Sequence, residues 1–280
     1  MALNNFIPEV YADMLMVQRP EETVFAKLCT TEYNGDITKY GDRVHITGLG
    51  RPTVRAYTKE GALTPEYMVD NTVEMVIDKA KYFDVWVDDV DLKQAMKDPI
   101  PTLMQEARRA LVEAMDAEIG LLYSQSGTEV TETEVTSANV IQTISSGITQ
   151  LYKNNVPSSE AIYLVVSPEV LEKMMIADII FNTNNSDTLS GGFAGRMKKF
   201  LNCTVYMSNN VYSPSTVDYC MMFTKKAIGL AEQIPAGSIE KLRSEEKFAD
   251  IIRGMHLYGC KVIKPKELVT LNLTTAAEAE

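Results

Sequence analysis

The segment from residue 39 to residue 90 has the pattern of β-strands but too few apolar residues to form a core of its own. Apolar and polar residues alternate around Val44 and Ile46, and again around Val73 and Met75, while the part in between is polar and contains glycine and proline. This alternation predicts a long two-stranded ribbon with a turn-rich far end. Because an isolated ribbon is only marginally stable in water, we expect it to pack on a partner surface.

A long helix is predicted over residues 99–123, shortly after the ribbon. Apolar residues recur there at steps of three and four positions, which places them in one stripe along the helix. Asp98 is a suitable N-cap, and Pro99 fits the first turn because its missing N–H needs no partner there. A helix of this length with a single apolar stripe is expected to lie across a sheet.

The remaining sequence divides into an α/β unit and a second strand region. The α/β unit is predicted from three elements: a helix over residues 138–153, a buried strand over residues 161–166 and a helix capped by Ser167. The stretch "SGTEVTETEVT" before it is interpreted as a loop because it consists mainly of threonine and glutamate. Strand patterns return towards the C-terminus and end with "LVTLNL".

Composition and charge exclude several classes of protein. The formal net charge is −11, whereas binding to nucleic acid through general electrostatics requires an excess of lysine and arginine. No segment approaches the roughly 18 apolar residues of a membrane-spanning helix, and the N-terminus lacks the pattern of a signal peptide. The four cysteines are far apart and form no CxxC pair, so we expect buried, reduced thiols without a disulfide or zinc site.

The stretch "YFDVWVDDVD" places Asp84, Asp88, Asp89 and Asp91 around Trp86, the only tryptophan of the chain. Carboxylates are the ligands that Mg²⁺ and Ca²⁺ prefer, so a metal-dependent hydrolase built on this cluster is one hypothesis. On a strand, however, Asp84 and Asp88 share one face, while Asp89 and Asp91 share the other. Since this split disfavours one cation held by all four, we favour a solvated strand end that leads into the long helix.

The sequence contains none of the common catalytic signatures. Its two histidines, His45 and His256, stand outside any motif and are interpreted as packed or surface residues. The loop "SGGFAGRMKK" lacks the spacing of a phosphate-binding loop. We therefore predict a protein that is not an enzyme and has no catalytic, cofactor-binding or metal site.

The order of these elements, and several stretches within them, resemble a known protein family. The stretches that carry the resemblance are "GDRVHITGLGRPTVRAYTKEG", "FDVWVDDVDLKQAMKD", "RRALVEAMDAEIGLLY", "YLVVSPEVLEKM", "LNCTVYMSNNV", "TKKAIGLAEQI" and "FADIIRGMHLYGCKVIKPKELV". In this order they are similar to the major capsid protein of tailed bacteriophages, which has the Hong Kong 97-like α+β fold.

The resemblance implies a division of the chain and a mode of assembly. The implied parts are an N-arm over 1–38, an extended E-loop ribbon over 39–90, a P-domain with the spine helix over 91–136, an α/β A-domain over 137–235, P-domain return strands over 236–272, and a flexible tail over 273–280. The family forms hexamers and pentamers of an icosahedral head around double-stranded DNA. In these assemblies A-domains meet at the capsomer axis, and E-loops lie over neighbouring subunits.

Candidate contact residues follow from the same reasoning. Candidates for contacts between subunits are Arg51, Arg55, Lys59, Glu60, Trp86, Glu245, Glu246 and Asp250. Candidates for the axial loop of the A-domain are Asn184, Asn185, Gly191 and Gly192. Some relatives join subunits by a lysine–asparagine cross-link, but no matching asparagine and acid pair accompanies Lys59, so we expect a non-covalent shell.

The expected partners are those of a virion shell. They are further copies of the chain, a portal, packaged double-stranded DNA without sequence-specific contacts, and a separate scaffolding protein, since no long charged region precedes the N-arm. We expect no membrane partner, and we expect assembly in the host cytoplasm. A bacterial compartment shell of the encapsulin type, with the same fold, is the alternative.

Overall fold

A computed structural model describes most of the chain. The described residues are 23–32, 43–49, 52–57, 59, 65–67, 70–89, 93, 100–177, 196–200, 203–234 and 239–275. The predicted cap Asp98 and its neighbour Pro99 lie outside these ranges, as does most of the predicted N-arm.

The described residues form helices and strands that are numbered here in chain order. The helices are α1 (Phe25–Leu28), α2 (Ile100–Gly120), α3 (Val140–Lys153) and α4 (Pro168–Ile176), with 3₁₀ turns at Leu121–Gln125 and Pro265–Glu267. The strands are β1 (Arg43–Leu49), β2 (Asp70–Val76), β3 (Lys79–Asp88), β4 (Thr128–Val135), β5 (Ile162–Val166), β6 (Arg196–Phe200), β7 (Cys203–Met207), β8 (Val217–Thr224), β9 (Ile228–Ile234), β10 (Ile239–Arg243), β11 (Ala249–Val262) and β12 (Leu268–Thr275).

One body of the molecule is a six-stranded mixed sheet in the order β4-β12-β8-β5-β7-β6. Helices α3 and α4 pack on it, and Gly147 of α3 lies so close that an added Cβ would be 2.9 Å from the side chain of Leu271. Ser167 caps α4 by accepting a hydrogen bond from the backbone N–H of Val170. The predicted helix over 138–153, the buried strand after it and the cap of α4 are confirmed.

The interpretation of "SGTEVTETEVT" as a loop is wrong, because most of this stretch forms strand β4. It pairs in parallel with β12, with Val130 opposite Leu271. Glu129 and Glu134 are exposed, whereas Val135 is buried. The β-branched threonines and valines alternate with the glutamates and suit a strand at the edge of a sheet, a pattern that the composition concealed.

The C-terminal boundary also differs from the prediction. Strand β12 continues to Thr275, and its Leu273 is buried. Residues 273–275, which were predicted to belong to a flexible tail, are therefore part of the sheet. With β4 and β12, the six-stranded sheet includes residues on both sides of the predicted A-domain, 137–235.

The second body is a four-stranded antiparallel sheet in which β11 pairs with β10, β3 and β9. Helix α2 lies against one face of it, where Glu118 pairs with Lys79 at 3.5 Å and Lys81 at 3.1 Å. The expectation of a long helix across a sheet is confirmed, and the predicted end at Tyr123 falls in the 3₁₀ turn that continues α2.

Strands β1 and β2 form the predicted ribbon, with Arg43 opposite Val76 and Leu49 opposite Asp70. Its root, defined as the end nearest the four-stranded sheet, packs through a small cluster of apolar residues: Val44, Met75, Ile77 and Ala231, with Ile46 and Leu257 beside them. Residues 79–88 were predicted to belong to the ribbon. They form β3 instead, which pairs with β11 of the four-stranded sheet.

Two close contacts fix the direction of the ribbon root. An added Cβ on Gly259 of β11 would lie 2.5 Å from the carbonyl oxygen of Val76. Next to it, Lys261 Nζ donates a hydrogen bond of 2.7 Å to the carbonyl oxygen of Glu74. The backbone of β2 therefore rests directly on the backbone of β11.

Asp116 of α2 holds the N-terminal helix in place. Its carboxylate accepts hydrogen bonds from the backbone N–H of Val24 at 3.2 Å and of Ala26 at 2.9 Å. It also accepts one from Nδ2 of Asn210 at 3.0 Å, and the side chain is fully buried. One carboxylate thus connects α1, α2 and the segment between β7 and β8.

Replacing Gly259 with alanine is expected to displace the ribbon root. Steric overlap with a backbone oxygen cannot be relieved by a side-chain rotation, so the free energy of unfolding should fall by about 1–3 kcal/mol. Limited proteolysis should also cut the ribbon faster. In the control Gly147→Ala the added methyl meets the end of a leucine side chain, which can move, so ribbon proteolysis should not change. Equal proteolysis of Gly259→Ala and wild type would contradict this explanation.

Replacing Asp116 with alanine should destabilise the protein through unsatisfied groups. It leaves the N–H groups of Val24 and Ala26 without their acceptor, and each such buried group costs about 1–3 kcal/mol. Urea unfolding measures the loss. The control Glu113→Ala, on the same helix and half-buried, is expected to stay within about 0.5 kcal/mol of wild type. Similar losses in both variants would rule out the special role of Asp116.

Candidate subunit interface

The face of the four-stranded sheet opposite α2 exposes large apolar side chains. We call this surface the open face; its large apolar residues are Tyr82, Trp86, Leu242 and Met255, with Phe248 in the adjoining turn, at exposures of 78%, 46%, 39%, 41% and 83%. They cluster because Met255 pairs with Tyr82, and Ile251 with both Trp86 and Leu242. The ribbon root covers only the end of this face near Leu257. An apolar patch of this kind usually marks an interaction site.

A row of charged side chains crosses the open face between its apolar residues. Arg253 is opposite Asp84 on β3 and pairs with Glu240 on β10 at 3.3 Å. The ammonium of Lys247 lies 4.9 Å from the ring centroid of Trp86. The open face therefore has apolar side chains on both sides of a central charged row.

The acidic end of β3 is held by an arginine of β10. Arg243 makes two hydrogen bonds to Asp89, of 2.6 and 2.5 Å, and one of 3.3 Å to Asp250. Lys241 pairs with the other oxygen of Asp250 at 2.8 Å. The hydrogen bond from Arg243 lowers the pKa of Asp89, and the hydrogen bond from Lys241 does most to lower the pKa of Asp250. This network joins β3, β10 and β11 where the sheet ends.

The geometry does not support a metal site among the aspartates. As predicted, Asp84 and Asp88 share the exposed face of β3 with Trp86, whereas Asp89 is engaged by Arg243. Asp91 lies outside the described residues. Within the described ranges, no three histidine, cysteine, aspartate or glutamate side chains are grouped so that they could hold a metal ion.

The far part of the ribbon also presents exposed apolar side chains. Val54, Tyr57 and Tyr67 have exposures of 91%, 75% and 99%. Glu66 connects the two sides of this part, because it accepts a hydrogen bond from the backbone N–H of Thr53 at 2.5 Å and pairs with Arg55 at 3.4 Å. The described residues of the ribbon leave these aromatic side chains uncovered.

The predicted contact residues fall into three groups. The first group lies at one end of the four-stranded sheet and consists of Trp86, Glu245, Glu246 and Asp250. Within the chain, Asp250 is bound by Lys241 and Arg243. Arg55 and Lys59 are exposed on the ribbon. Arg51, Glu60 and the axial-loop candidates Asn184, Asn185, Gly191 and Gly192 lie outside the described residues. The contact role of all of them stays a prediction.

The cysteines are unsuited to nucleophilic chemistry. All four are free thiols; Cys29, Cys203 and Cys220 are buried and Cys260 is half-buried. Burial raises the pKa of Cys203 to about 12 and of Cys260 to about 11, so both are protonated at neutral pH and react slowly. Among the described helices, none is long and apolar enough to cross a membrane.

Comparisons with known proteins agree with this architecture. A family model described as phage capsid protein matches residues 36–275. A solved structure from Mycobacterium phage Che8 is 31% identical, over 96% of this chain and 98% of that chain, with a TM-score of 0.82. The chain therefore belongs to the phage capsid protein family.

More distant structures share the fold. The capsid of cyanophage P-SCSP1u is 16% identical over 98% of this chain and 94% of that chain, with a TM-score of 0.76. The capsid of Ralstonia phage GP4 is 12% identical over 100% of this chain and 99% of that chain, with a TM-score of 0.70. No curated protein sequence matches the chain. The Hong Kong 97-like fold and the structural role of a tailed-phage major capsid protein, part of the virion, are confirmed.

Proposed function

We propose that copies of this major capsid protein join when the far part of one ribbon covers the open face of the next copy. The observation that carries the proposal is the pair of exposed apolar surfaces on one chain. One of them includes Tyr57 and Tyr67 on the ribbon, and the other includes Tyr82 and Trp86 on the sheet. Neither is covered by the described residues, and buried aromatic side chains dominate the free energy of association at interfaces.

Both surfaces carry charged side chains that can pair across the contact. The ribbon carries Arg55 and Lys59, while the open face carries Asp84 and Glu240 across its middle, and Glu245 and Glu246 lie in the turn beside it. Individual surface pairs contribute only about 0–1 kcal/mol, but opposite charges select the partner and the register. The residues predicted as subunit contacts thus have a role around the apolar contact.

The proposed contact joins one surface of a copy to a different surface of the next copy, and this determines the symmetry of the assembly. Such a head-to-tail interface closes into a ring when its rotation allows, and otherwise continues as a filament. Rings of six and five copies are what an icosahedral head requires. We therefore infer hexamers and pentamers built by this contact, without a covalent cross-link.

The named parts of the capsid fold can be assigned to observed elements. We infer that the ribbon is the E-loop, α2 the spine helix, and the four-stranded sheet the centre of the P-domain. The six-stranded sheet with α3 and α4 is the A-domain, which then includes β4 and β12 outside the predicted range 137–235. The sheet topology supports this extension, because both strands pair inside that sheet.

The net charge of −11 supports a container without affinity for its contents. We infer that the shell encloses double-stranded DNA without sequence-specific contacts and performs no catalysis. A separate scaffolding protein and a portal, and assembly in the host cytoplasm, complete the proposal. The encapsulin-type alternative is not favoured, since the similar structures named above come from phages.

The fluorescence of Trp86 should report the proposed contact. Trp86 is 46% exposed in the single chain and is the only tryptophan, so burial by a neighbouring ribbon should shift its emission to shorter wavelengths. The shift should appear when purified subunits assemble into shells that are visible by electron microscopy. Closed shells with unchanged Trp86 emission would place the contact elsewhere.

Removing the ribbon rings should prevent assembly without unfolding the subunit. Tyr57→Ala and Tyr67→Ala together delete two exposed rings, so the free energy of unfolding should change by less than about 0.5 kcal/mol. Negative-stain electron microscopy should then show subunits or small oligomers instead of shells. Tyr152→Ala on α3, with an exposure of 37%, is the matched control and should assemble normally. Wild-type yields of shells from the double variant would overturn the proposal.

A further inference from the structure

A buried polar pair lies beneath the long helix. His256 and Tyr258 of β11 are fully buried on the face that α2 covers, and their ring centroids are 4.7 Å apart. Within the described part of the chain, neither ring nitrogen of His256 nor the hydroxyl of Tyr258 has a hydrogen-bond partner. The backbone of Leu111 in α2 approaches the imidazole without meeting hydrogen-bond geometry. Because buried polar groups are normally satisfied, this pair calls for an explanation.

The charged groups around His256 come from three elements. Glu232 of β9 is the nearest carboxylate, with its Oε1 3.9 Å from His256 Nε2 and its side chain 29% exposed. Lys81 of β3 is directly opposite His256, and Glu118 of α2 pairs with Lys81 at 3.1 Å. A positive charge on the imidazole would therefore face one carboxylate beyond hydrogen-bond distance and one cation that is already paired.

We propose that His256 makes the packing of α2 against the four-stranded sheet sensitive to acid. The neutral imidazole fits the apolar contact. Its protonated form needs water or a closer carboxylate, and separation of α2 from the sheet gives access to water. The proposal concerns the inside of one subunit and does not depend on the ribbon contact.

The direction of the pH effect follows from the two states of the histidine. Burial lowers the pKa of His256 in the folded protein below the ordinary value of 6.5, although the carboxylate of Glu232 partly opposes this. When α2 separates, the pKa returns towards 6.5, so the open state binds more protons below that pH. The contact between α2 and the four-stranded sheet is therefore fully stable above pH 6.5. It weakens as the pH falls from 6.5 to the pKa that His256 has in the folded protein.

A weakened α2 would affect more than one contact. The same helix supplies Asp116, which accepts the backbone hydrogen bonds of Val24 and Ala26 in α1. It also supplies Glu118, which holds Lys79 and Lys81 of β3. Acid should therefore loosen α1 together with α2, while the six-stranded sheet keeps its protection.

Hydrogen–deuterium exchange of the full chain, both as subunits and as assembled shells, tests the proposal. After correction for the intrinsic pH dependence of exchange, the protection of residues 100–120 should fall by up to about tenfold per pH unit below 6.5. His256→Phe keeps a ring against Tyr258 but cannot be protonated, so this fall should disappear. His45→Phe changes the other histidine, which is exposed on β1, and should behave like wild type.

A second variant keeps the test decisive if His256→Phe does not fold. Glu232→Gln leaves the imidazole in place but removes the carboxylate that favours its protonated form, so the loss of protection should extend to lower pH and become larger. The proposal is overturned if wild-type α2 is equally protected at pH 7.5 and 5. The same conclusion follows if a folded His256→Phe loses protection as wild type does, or if Glu232→Gln matches wild type at every pH.

Discussion

The contact between α2 and the four-stranded sheet organises the rest of the molecule. On one side of α2, Glu118 binds the lysines of β3; on another, the buried carboxylate of Asp116 fixes α1 and the segment before β8. The 3₁₀ turn after α2 leads directly into β4 of the six-stranded sheet. The two sheets and the N-terminal helix thus have one helix in common. A single cluster of buried apolar residues also runs through both bodies, and it includes Ile119 of α2, Tyr258 of β11 and Leu271 of β12.

The ribbon depends on the same sheet but on different chemistry. Its root has only a small apolar cluster, and its direction is determined by backbone contact at Gly259 and by the hydrogen bond from Lys261. Beyond the root, the ribbon exposes aromatic rings that its own chain leaves uncovered among the described residues. As a monomer, a subunit with such an extension leaves apolar side chains exposed to water. If the proposed contact forms, burial of this apolar area favours assembly.

Local patterns in the sequence were sufficient to predict the elements with strong periodicity. The ribbon, α2, α3 and the Ser167 cap each follow from neighbouring residues, and the alternation in β3 predicted correctly which aspartates share a face with Trp86. Strand β4 was missed because its stability comes from pairing with β12, far along the chain. The Arg243–Asp89 pair joins residues 154 positions apart, and the bonds of Asp116 span 90 or more. Contacts of this range leave no periodic signal.

Strand β11 has a mechanical consequence for a closed shell. Its 14 residues run without a break from the open face, at Ile251 to Met255, to the seat of the ribbon root at Gly259 and Lys261. If ribbons cover open faces as proposed, each subunit receives one neighbour's ribbon on the first part of this strand and anchors its own ribbon on the last part. Tension around a ring would then pass through covalent backbone in every subunit. Outward pressure on such a shell would load the non-covalent contacts between subunits, and β11 would connect the two contacts within each subunit.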